Sequence, residues 1–221
     1  MRINPQSVSR LFKYRTILHR LRAFNISWIL SEQIASSLGV TASQVRKDFS
    51  SAGVTGRRKS GYQVDALIEN LNKILRKNIR NTAVIAGFGS LGKAVYNEYF
   101  RNSPDIDVIA AFDENAPLDG TIDEETGIQM LPMSSIVDFI RDRQVRYGVI
   151  AVAGQIGQHF LDRMVLAGIR GIVSLSPTDL KSPQFCVMQT INPLSAMEKV
   201  VYFSQHPGKT NSPARYRKSG Q

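Results

Sequence analysis

A glycine-rich segment directly after a short apolar run is the feature that most constrains the fold of this chain. Residues 82–86 are apolar and β-rich, and a helical pattern runs from the glycines to about residue 100. Between a strand and a helix, a G-x-G-x-x-G segment makes a tight turn, lets the backbone approach a pyrophosphate and lets helix and strand pack closely. The six residues are Gly87, Phe88, Gly89, Ser90, Leu91 and Gly92. They predict a Rossmann-type domain and a cofactor-binding loop.

The residues after the glycine segment continue the alternation of strands and helices. Apolar strands are predicted at 108–112, 147–152 and 171–175, with helical segments at 133–143 and 156–167. Continuous apolar strands separated by helices are typical of a parallel sheet that is covered on both faces. The predicted fold class of this part is therefore α/β.

An acidic residue ends the strand after the glycine segment. Asp113 lies 21 residues beyond Gly92, where a carboxylate can accept hydrogen bonds from the ribose hydroxyls of an adenine dinucleotide. Glu114 follows and no arginine is adjacent, which favours NAD(H) over NADP(H). The alternative is that Asp113 only caps the turn. At the end of the third strand, Val152, Ala153 and Gly154 are predicted to pass close to a nicotinamide.

Charge is unevenly distributed along the 221 residues. The formal net charge is +10, but residues 1–80 hold 15 Lys/Arg and 4 Asp/Glu, a net +11, whereas residues 81–203 hold 9 and 14, a net −5. This asymmetry indicates a polyanionic partner for the first part only. A solvated basic surface is the alternative.

The basic part has the pattern of a helix-turn-helix. Amphipathic helices are predicted at 8–24 and 64–77. Between them, one helix is predicted to begin at Ser31 as its N-cap and to end at Gly39, and the next to begin at Thr41, with Gln44 completing a capping box. Ala35 lets the two helices approach, Gly39 permits a positive φ, and Val45 anchors the second helix.

The second of these helices and the loop after it are the predicted DNA-binding surface. Glycines at 53, 56 and 61 predict a loop or small hairpin resembling the wing of a winged helix. The predicted DNA-binding residues are Ser43, Gln44, Arg46, Lys47, Ser50, Arg57, Arg58 and Lys59. A helical hairpin with a solvated basic face is the alternative.

Other features limit the classes of function. His159 follows the third strand without a matched acid partner and is predicted to be a surface residue, so no catalytic residue and no metal site are expected. Cys186 is the single cysteine, within an apolar stretch, and is predicted to be buried. Without a membrane-span pattern, a cytoplasmic location is expected.

The motifs together resemble the Rex family of redox-sensing repressors, over residues 8–204. The resemblance is carried by Gln-Val-Arg-Lys-Asp-Phe-Ser at 44–50, Gly-Tyr at 61–62, the glycine segment and Ala-Phe-Asp at 111–113. It implies a homodimer that exchanges its last helix, pseudo-palindromic double-stranded DNA as partner, and release of DNA by NADH rather than NAD+. The predicted domains are a winged helix (1–78), a Rossmann domain (79–192), a swapped dimerisation helix (193–205) and a disordered basic tail (206–221).

Several positions depart from the pattern usual in Rex proteins. Tyr is usual where this chain has Glu98, and Asp, as partner of Arg15, where it has Asn192. Ser51-Ala52, Thr55, 153–155 and 174–177 also differ. The resemblance therefore implies a Rex-like paralogue with altered NADH switching. A Rossmann oxidoreductase and a module for another adenine nucleotide, such as CoA, remain alternatives.

Overall fold

The computed structural model describes residues 4–57, 60–76, 79–152 and 154–206. The chain divides into two compact units, and the boundary between them lies between residues 78 and 79. The described part of the first unit is helical with a two-stranded sheet, and that of the second is built on a seven-stranded sheet. The α/β class predicted from the sequence is confirmed.

The described part of the first unit packs four helices around one apolar core. Its elements are α1 (Pro5–Ala23), β1 (Trp28–Ile29), α2 (Ser31–Leu38), α3 (Ala42–Ser51), β2 (Tyr62–Gln63) and α4 (Val64–Ile74). The largest side chains of the core come from all four helices: Leu11, Tyr14, Leu18, Ile34, Phe49, Leu67 and Leu71. β1 and β2 pair antiparallel, with Trp28 opposite Gln63. The pairing places the end of the loop after α3 beside the segment that precedes α2.

The turn between α2 and α3 confirms the predicted helix-turn-helix spacing. Gly39 has φ 65°, a conformation that costs glycine little, and its N–H donates to the carbonyl of Ala35. Ala35 and Val45 are both buried between the helices. The three positions therefore do what their spacing predicted.

Two capping predictions were wrong in detail. Ser31 is the first residue of α2 rather than its N-cap, and the N–H of Leu30 is satisfied by Gln33 Oε1 at 2.8 Å. Thr41 caps α3 as expected, accepting from the N–H of Gln44 at 3.1 Å. The side chain of Gln44, however, bonds Asp48 instead of completing a capping box, because the charged acceptor is the stronger one.

The second unit is a mostly parallel sheet in the order β5-β6-β4-β3-β7-β8-β9. Its elements are β3 (Asn81–Ala86), α5 (Ser90–Val95), β4 (Ile106–Asp113), β5 (Thr121–Ile122), β6 (Gln129–Pro132), α6 (Ile136–Asp142), β7 (Tyr147–Ile150), α7 (Gly154–Ala167), β8 (Gly171–Ser174), β9 (Val187–Thr190) and α8 (Pro193–Gln205). Among the described strands of this sheet, only β5 runs antiparallel to its neighbour, β6. Since β4 and β7 flank β3 on opposite sides, the strand order reverses at its carboxyl end, where ligands of open α/β sheets bind.

Both faces of this sheet are covered. Val84 and Ala86 of β3 belong to one apolar cluster with α6 and α7, whereas Ala83 and Ile85 belong to the cluster on the opposite face. The predicted burial of Cys186 is confirmed.

The helix predicted to reach residue 100 is not continuous. The α-helix ends at Val95 and the chain continues as a π-helical turn, Tyr96–Phe100. The strands β1, β2, β5, β6 and β9 were not predicted; β1, β2 and β5 have only two residues each, which is too few to show a periodicity.

Candidate functional site

The helix α3 exposes most of the residues predicted to contact DNA. Val45 and Phe49 are buried in the core, which turns Ser43, Arg46, Lys47 and Ser50 to the outside. Gln44 is half-buried beside them. One exposed face of the helix thus carries two cations and two hydroxyl groups, side chains that contact phosphates and base edges.

A buried carboxylate anchors α3 to α1. Arg10 donates to Asp48 through Nε (2.6 Å, to Oδ2) and through Nη2 (2.8 Å, to Oδ1). Tyr14 Oη (2.8 Å), Ser7 Oγ (2.9 Å) and Gln44 Nε2 (3.0 Å) also donate to it. The Asp48 side chain is 1% exposed, so its carboxylate is shielded from bulk water, whereas the Arg10 side chain is 22% exposed.

These contacts set the ionisation of the cluster. Burial by itself raises the pKa of Asp48, but the hydrogen bonds from Arg10, Tyr14, Ser7 and Gln44 outweigh it and lower that pKa to about 2. Burial, followed by the bond to Asp48, raises the pKa of Tyr14. Asp48 is therefore ionised and Tyr14 neutral at physiological pH. Sequence reasoning assigned Asp48 no role, and a lone acid in a basic helix was the only available signal.

The loop after α3 forms a small wing. The N–H and carbonyl groups of Arg57 pair with those of Gly61, at 2.8 and 3.0 Å. The guanidinium of Arg57 lies 5.6 Å from the ring centroid of Trp28, which is within the range of a cation–π contact. Arg58 and Lys59 lie outside the described residues. Trp28, which sequence reasoning did not select, thus supports the side chain of a predicted DNA-binding arginine.

The glycine loop has the geometry that its motif predicted. Gly87 has φ +88°, and a Cβ there would meet Val152 and the backbone of Ala151. A Cβ on Gly92 would collide with the carbonyl oxygen of Gly87, which confirms that the third glycine permits close packing of helix and strand. Gly89 differs, because a Cβ there would meet nothing within 4 Å. The space above Gly89 is open, as an approaching pyrophosphate requires.

The start of α5 lies next to this space. Ser90 and Leu91 are exposed in its first turn, and no side chain caps the helix at Gly89. Phe88 is buried under the loop, in edge contact with Tyr96. Of the six predicted loop residues, Phe88 therefore packs in the core. Gly89, Ser90 and Leu91 are exposed, and the buried Gly87 and Gly92 pack closely against each other.

Asp113 ends β4 directly beside the glycine loop. Its Oδ2 accepts from the N–H of Phe88 at 2.9 Å and its Oδ1 from the N–H of Asn115 at 3.0 Å. Oδ1 also accepts from Asn115 Nδ2, at 3.4 Å, whereas Oδ2 retains a second lone pair. The side chain therefore caps the turn, as the alternative interpretation held, and it can still accept hydrogen bonds from a ligand.

The third predicted cofactor segment lies after β7. Gly154 has φ +70° and its N–H donates to Thr178 Oγ1 at 3.2 Å, while Val152 lies against Gly87. The segment thus meets the glycine loop at the carboxyl ends of β3 and β7. Ala153 lies outside the described residues.

An ion pair that sequence reasoning missed holds α5 to the segment after β5. Lys93 Nζ contacts the largely buried Asp123 and, at 3.9 Å, Glu125. Lys93 lies in α5, the helix that begins at the glycine loop. The ion pair therefore holds the start of this helix against the segment that contains Asp123. Lys93 and Asp123 lie 30 residues apart in sequence, and no local pattern links them.

Metal-binding groups and the position of His159 can be described for the described residues. No group of three or more His, Cys, Asp or Glu side chains there could hold a metal ion. His159 is exposed on α7, which agrees with its interpretation as a surface residue. Among the described helices, none combines the length and the apolar character needed to cross a membrane.

Two sequence families match the two units. Residues 2–50 match a family described as "Putative DNA-binding protein N-terminus", and residues 78–178 match one described as "CoA binding domain". The second description names an adenine nucleotide other than NAD, which was one of the alternatives from the sequence.

Curated relatives match nearly the whole chain. The "Redox-sensing transcriptional repressor Rex" of Ligilactobacillus salivarius is 30% identical over 210 residues, covering 95% of this chain and 98% of the relative. The protein of the same name from Streptococcus pneumoniae (strain Hungary19A-6) is 32% identical over 202 residues, covering 91% and 94%. Both are named as repressors and neither as an enzyme.

Solved structures agree with these relatives. The structure of RSP, a Rex-family repressor, in complex with β-NAD+ and operator DNA has a TM-score of 0.83 and 27% identity, covering 95% of this chain and 99% of RSP. The complex of RSP with β-NADH has a TM-score of 0.80 and 26% identity, covering 94% and 96%. This chain therefore belongs to the Rex family of redox-sensing transcriptional repressors.

Proposed function

We propose that this protein is a transcriptional repressor that binds operator DNA through residues 1–78 and NAD(H) through residues 79–192. The observation that carries the proposal is the match along 95% of the chain to RSP bound to both NAD+ and operator DNA. The exposed cations of α3 and the open space above Gly89 support it from this chain's own residues. A repressor, rather than an oxidoreductase, also fits the names of the relatives.

Within the winged helix, Ser43, Arg46, Lys47 and Ser50 would contact the major groove, and Arg57, Arg58 and Lys59 the phosphates or the minor groove. Gln44 is part of the same surface, but its amide is committed to Asp48. It would therefore read a base only by giving up that charged acceptor. Gln44 is accordingly a weaker candidate than Arg46 and Lys47.

In the second unit, the pyrophosphate would lie on the glycine loop, the adenosine ribose on Asp113, and the nicotinamide near Val152, Ala153 and Gly154. Asp113 and the adjacent Glu114 would repel a 2′-phosphate, which favours NAD(H). The family description that names CoA makes CoA the second candidate ligand. Mass spectrometry of the ligand that copurifies with the protein would separate the two.

The last helix is proposed to be exchanged between two copies of the chain. No residue of α8 is buried within one chain. Four of its apolar side chains, Leu194, Met197, Val200 and Val201, are 46–67% exposed. An apolar helix face of this kind is buried in a stable assembly. A homodimer on a pseudo-palindromic operator and a cytoplasmic location follow from the proposed role, with 206–221 as a basic tail.

Replacing Arg46 and Lys47 together with alanine is expected to abolish operator binding. Loss of a bidentate base contact, equivalent to about 1–3 kcal/mol, should by itself weaken affinity by about 5- to 150-fold, and loss of a phosphate contact should weaken it further. Fluorescence anisotropy with a selected duplex measures the effect. The control is Lys13→Ala with Lys73→Ala, two cations on other helices, which should change affinity by less than about threefold. Unchanged binding by the first variant would refute the proposed surface.

NADH is expected to weaken operator binding by less than about fivefold, the lower end of usual coupling between sites. Glu98 and Asn192 stand where the family pattern has other residues, and here Arg15 donates to Asn72 (2.5 Å) while Asn192 accepts from the N–H of Ser195. Anisotropy titrations of the DNA complex with NADH and NAD+ test this, with NADH binding measured separately by its fluorescence. A larger release by NADH would show that switching does not depend on the residues at 98 and 192. The exposed Tyr99, beside Glu98 in the π-helical turn, would then be the next residue to replace.

A further inference from the structure

The guanidinium of Arg46 is held by the start of the preceding helix. Its Nη1 donates to Ser31 Oγ at 2.9 Å and to Glu32 Oε1 at 3.0 Å. Ser31 Oγ in turn donates to Glu32 Oε2 at 3.2 Å. Ser31 is buried at the base of this arrangement, so the three side chains have a defined geometry rather than three independent positions.

This group of three residues lies at the rim of a cleft of about 620 Å³ between α3 and the wing. The described lining includes two cations, Arg46 and Arg57, and one acid, Glu32. The pKa of Glu32 is lowered first by a bond from its own backbone N–H and then by Ser31 and Arg46, so the carboxylate is ionised at neutral pH. A negative charge therefore lies on the surface proposed to meet a polyanion.

A carboxylate at this place opposes binding to phosphates, which provide the affinity for DNA of any sequence. It partly neutralises Arg46 before DNA arrives. A sequence-independent contact between Arg46 and a phosphate then gains little, because the arginine exchanges one anionic oxygen for another while Glu32 is left facing the DNA backbone.

A contact with a base edge gains more. The side chains of Arg46 and Glu32 are 54% and 62% exposed, and an ion pair this exposed changes an equilibrium by at most about fivefold. Two parallel hydrogen bonds from an arginine to guanine O6 and N7 change it by about 5- to 150-fold. The bonds to Ser31 and Glu32 use Nη1, so Nε and Nη2 of Arg46 can donate to guanine while Glu32 still holds Nη1, and the base contact is gained without losing the ion pair.

We propose that Glu32 determines DNA specificity as a positioning residue: with Ser31 it holds Nη1 of Arg46, so that Nε and Nη2 are directed at a guanine edge in the operator, while the Glu32 charge opposes a contact of Arg46 with a phosphate elsewhere. This inference rests on the proposed function, because it assumes that α3 meets DNA. It assigns a role to Glu32, whose negative charge by itself opposes the binding of this basic unit to DNA.

The test is Glu32→Gln, which keeps the size of the side chain and an oxygen acceptor for Arg46 and removes the charge. Dissociation constants are measured by anisotropy between 50 and 200 mM KCl, for a duplex selected by the wild-type protein and for a shuffled duplex of the same length. The expected result is about fivefold tighter binding to the shuffled duplex and less than about twofold change on the selected one. The salt dependence on shuffled DNA should steepen by about 0.9, the slope for one additional phosphate.

Glu69→Gln is the matched control, because it removes the same charge from an exposed position on α4. It should change both constants equally and by less than about twofold. Equal effects of the two variants, or an unchanged ratio in Glu32→Gln, would overturn the inference while leaving the proposed function intact. If the wild-type protein itself binds both duplexes equally, the proposed function fails and this inference with it. Melting curves followed by Trp28 fluorescence check that each variant is folded.

Discussion

Replacing Asp48 with alanine is expected to destabilise the first unit by about 3–5 kcal/mol, the usual effect of removing one partner of a buried ion pair. Arg10, Tyr14, Ser7 and Gln44 would all lose their common acceptor. Arg10 is 22% exposed and recovers some hydration, which places the expected loss toward 3 kcal/mol. Urea denaturation followed by fluorescence measures it, because Trp28 is the single tryptophan of the chain and lies in this unit.

Glu69→Ala is the control for this experiment, because Glu69 is exposed on α4 and its loss should cost less than about 0.5 kcal/mol. The prediction fails if Asp48→Ala costs less than about 1 kcal/mol. Such a result would mean that the four polar side chains find other partners without loss, and that the anchoring of α3 to α1 depends on apolar packing alone.

The same carboxylate makes stability depend on acid pH. The folded-state pKa of Asp48 is about 2, below its ordinary value of 3.8. The unfolded state therefore binds a proton first, and the stabilisation by Asp48 is complete above about pH 4 and is lost as the pH falls toward 2. The lost part is about 2–3 kcal/mol, and it should be missing from the pH profile of Asp48→Asn.

Replacing Gly89 with alanine is expected to abolish NAD(H) binding without a loss of stability. Its backbone, at φ −72° and ψ −162°, suits any residue, and a Cβ meets nothing within 4 Å. The methyl group would instead occupy the space proposed for the pyrophosphate. We expect affinity to fall by about 100-fold, roughly 3 kcal/mol, in an NADH fluorescence titration.

Gly92→Ala is the contrasting variant in the same loop. Its Cβ would collide with the backbone oxygen of Gly87, so it should lower the free energy of unfolding by about 1–3 kcal/mol and reduce binding only together with stability. If Gly89→Ala binds NADH as tightly as the wild-type protein, the dinucleotide does not lie on this loop. CoA is then tested in the same titration.

Much of both sites was predictable because it depends on local geometry. Gly39 and Gly87 adopt a positive φ, which few residues other than glycine do, so their presence between regular elements predicts a turn. Val45 and Arg46 are adjacent on a helix and must face different directions, so the burial of one predicts the exposure of the other. The domain class and the exposed face of α3 follow from such relations.

The partners of the charged side chains were not predictable. Asp48 pairs with Arg10 across 38 positions of sequence and Arg46 with Glu32 across 14, and neither spacing is a helical repeat. The capping box expected at Gln44 was wrong for the same reason, since Asp48 became a better acceptor only when α1 brought Arg10 beside it. The π-helical turn after Val95 likewise has no marker in its residue types.

The sequence by itself determined that a basic helix-turn-helix precedes a glycine loop in a parallel sheet, because periodicity, φ preferences and charge act between near neighbours in the chain. Only the tertiary structure decided how the charges of the first unit pair: Asp48 buried under five donors, and Arg46 held by Ser31 and Glu32. The physical reason is that an ion pair depends on distance and burial, and both are set by how α1, α2 and α3 pack, not by the order of their residues.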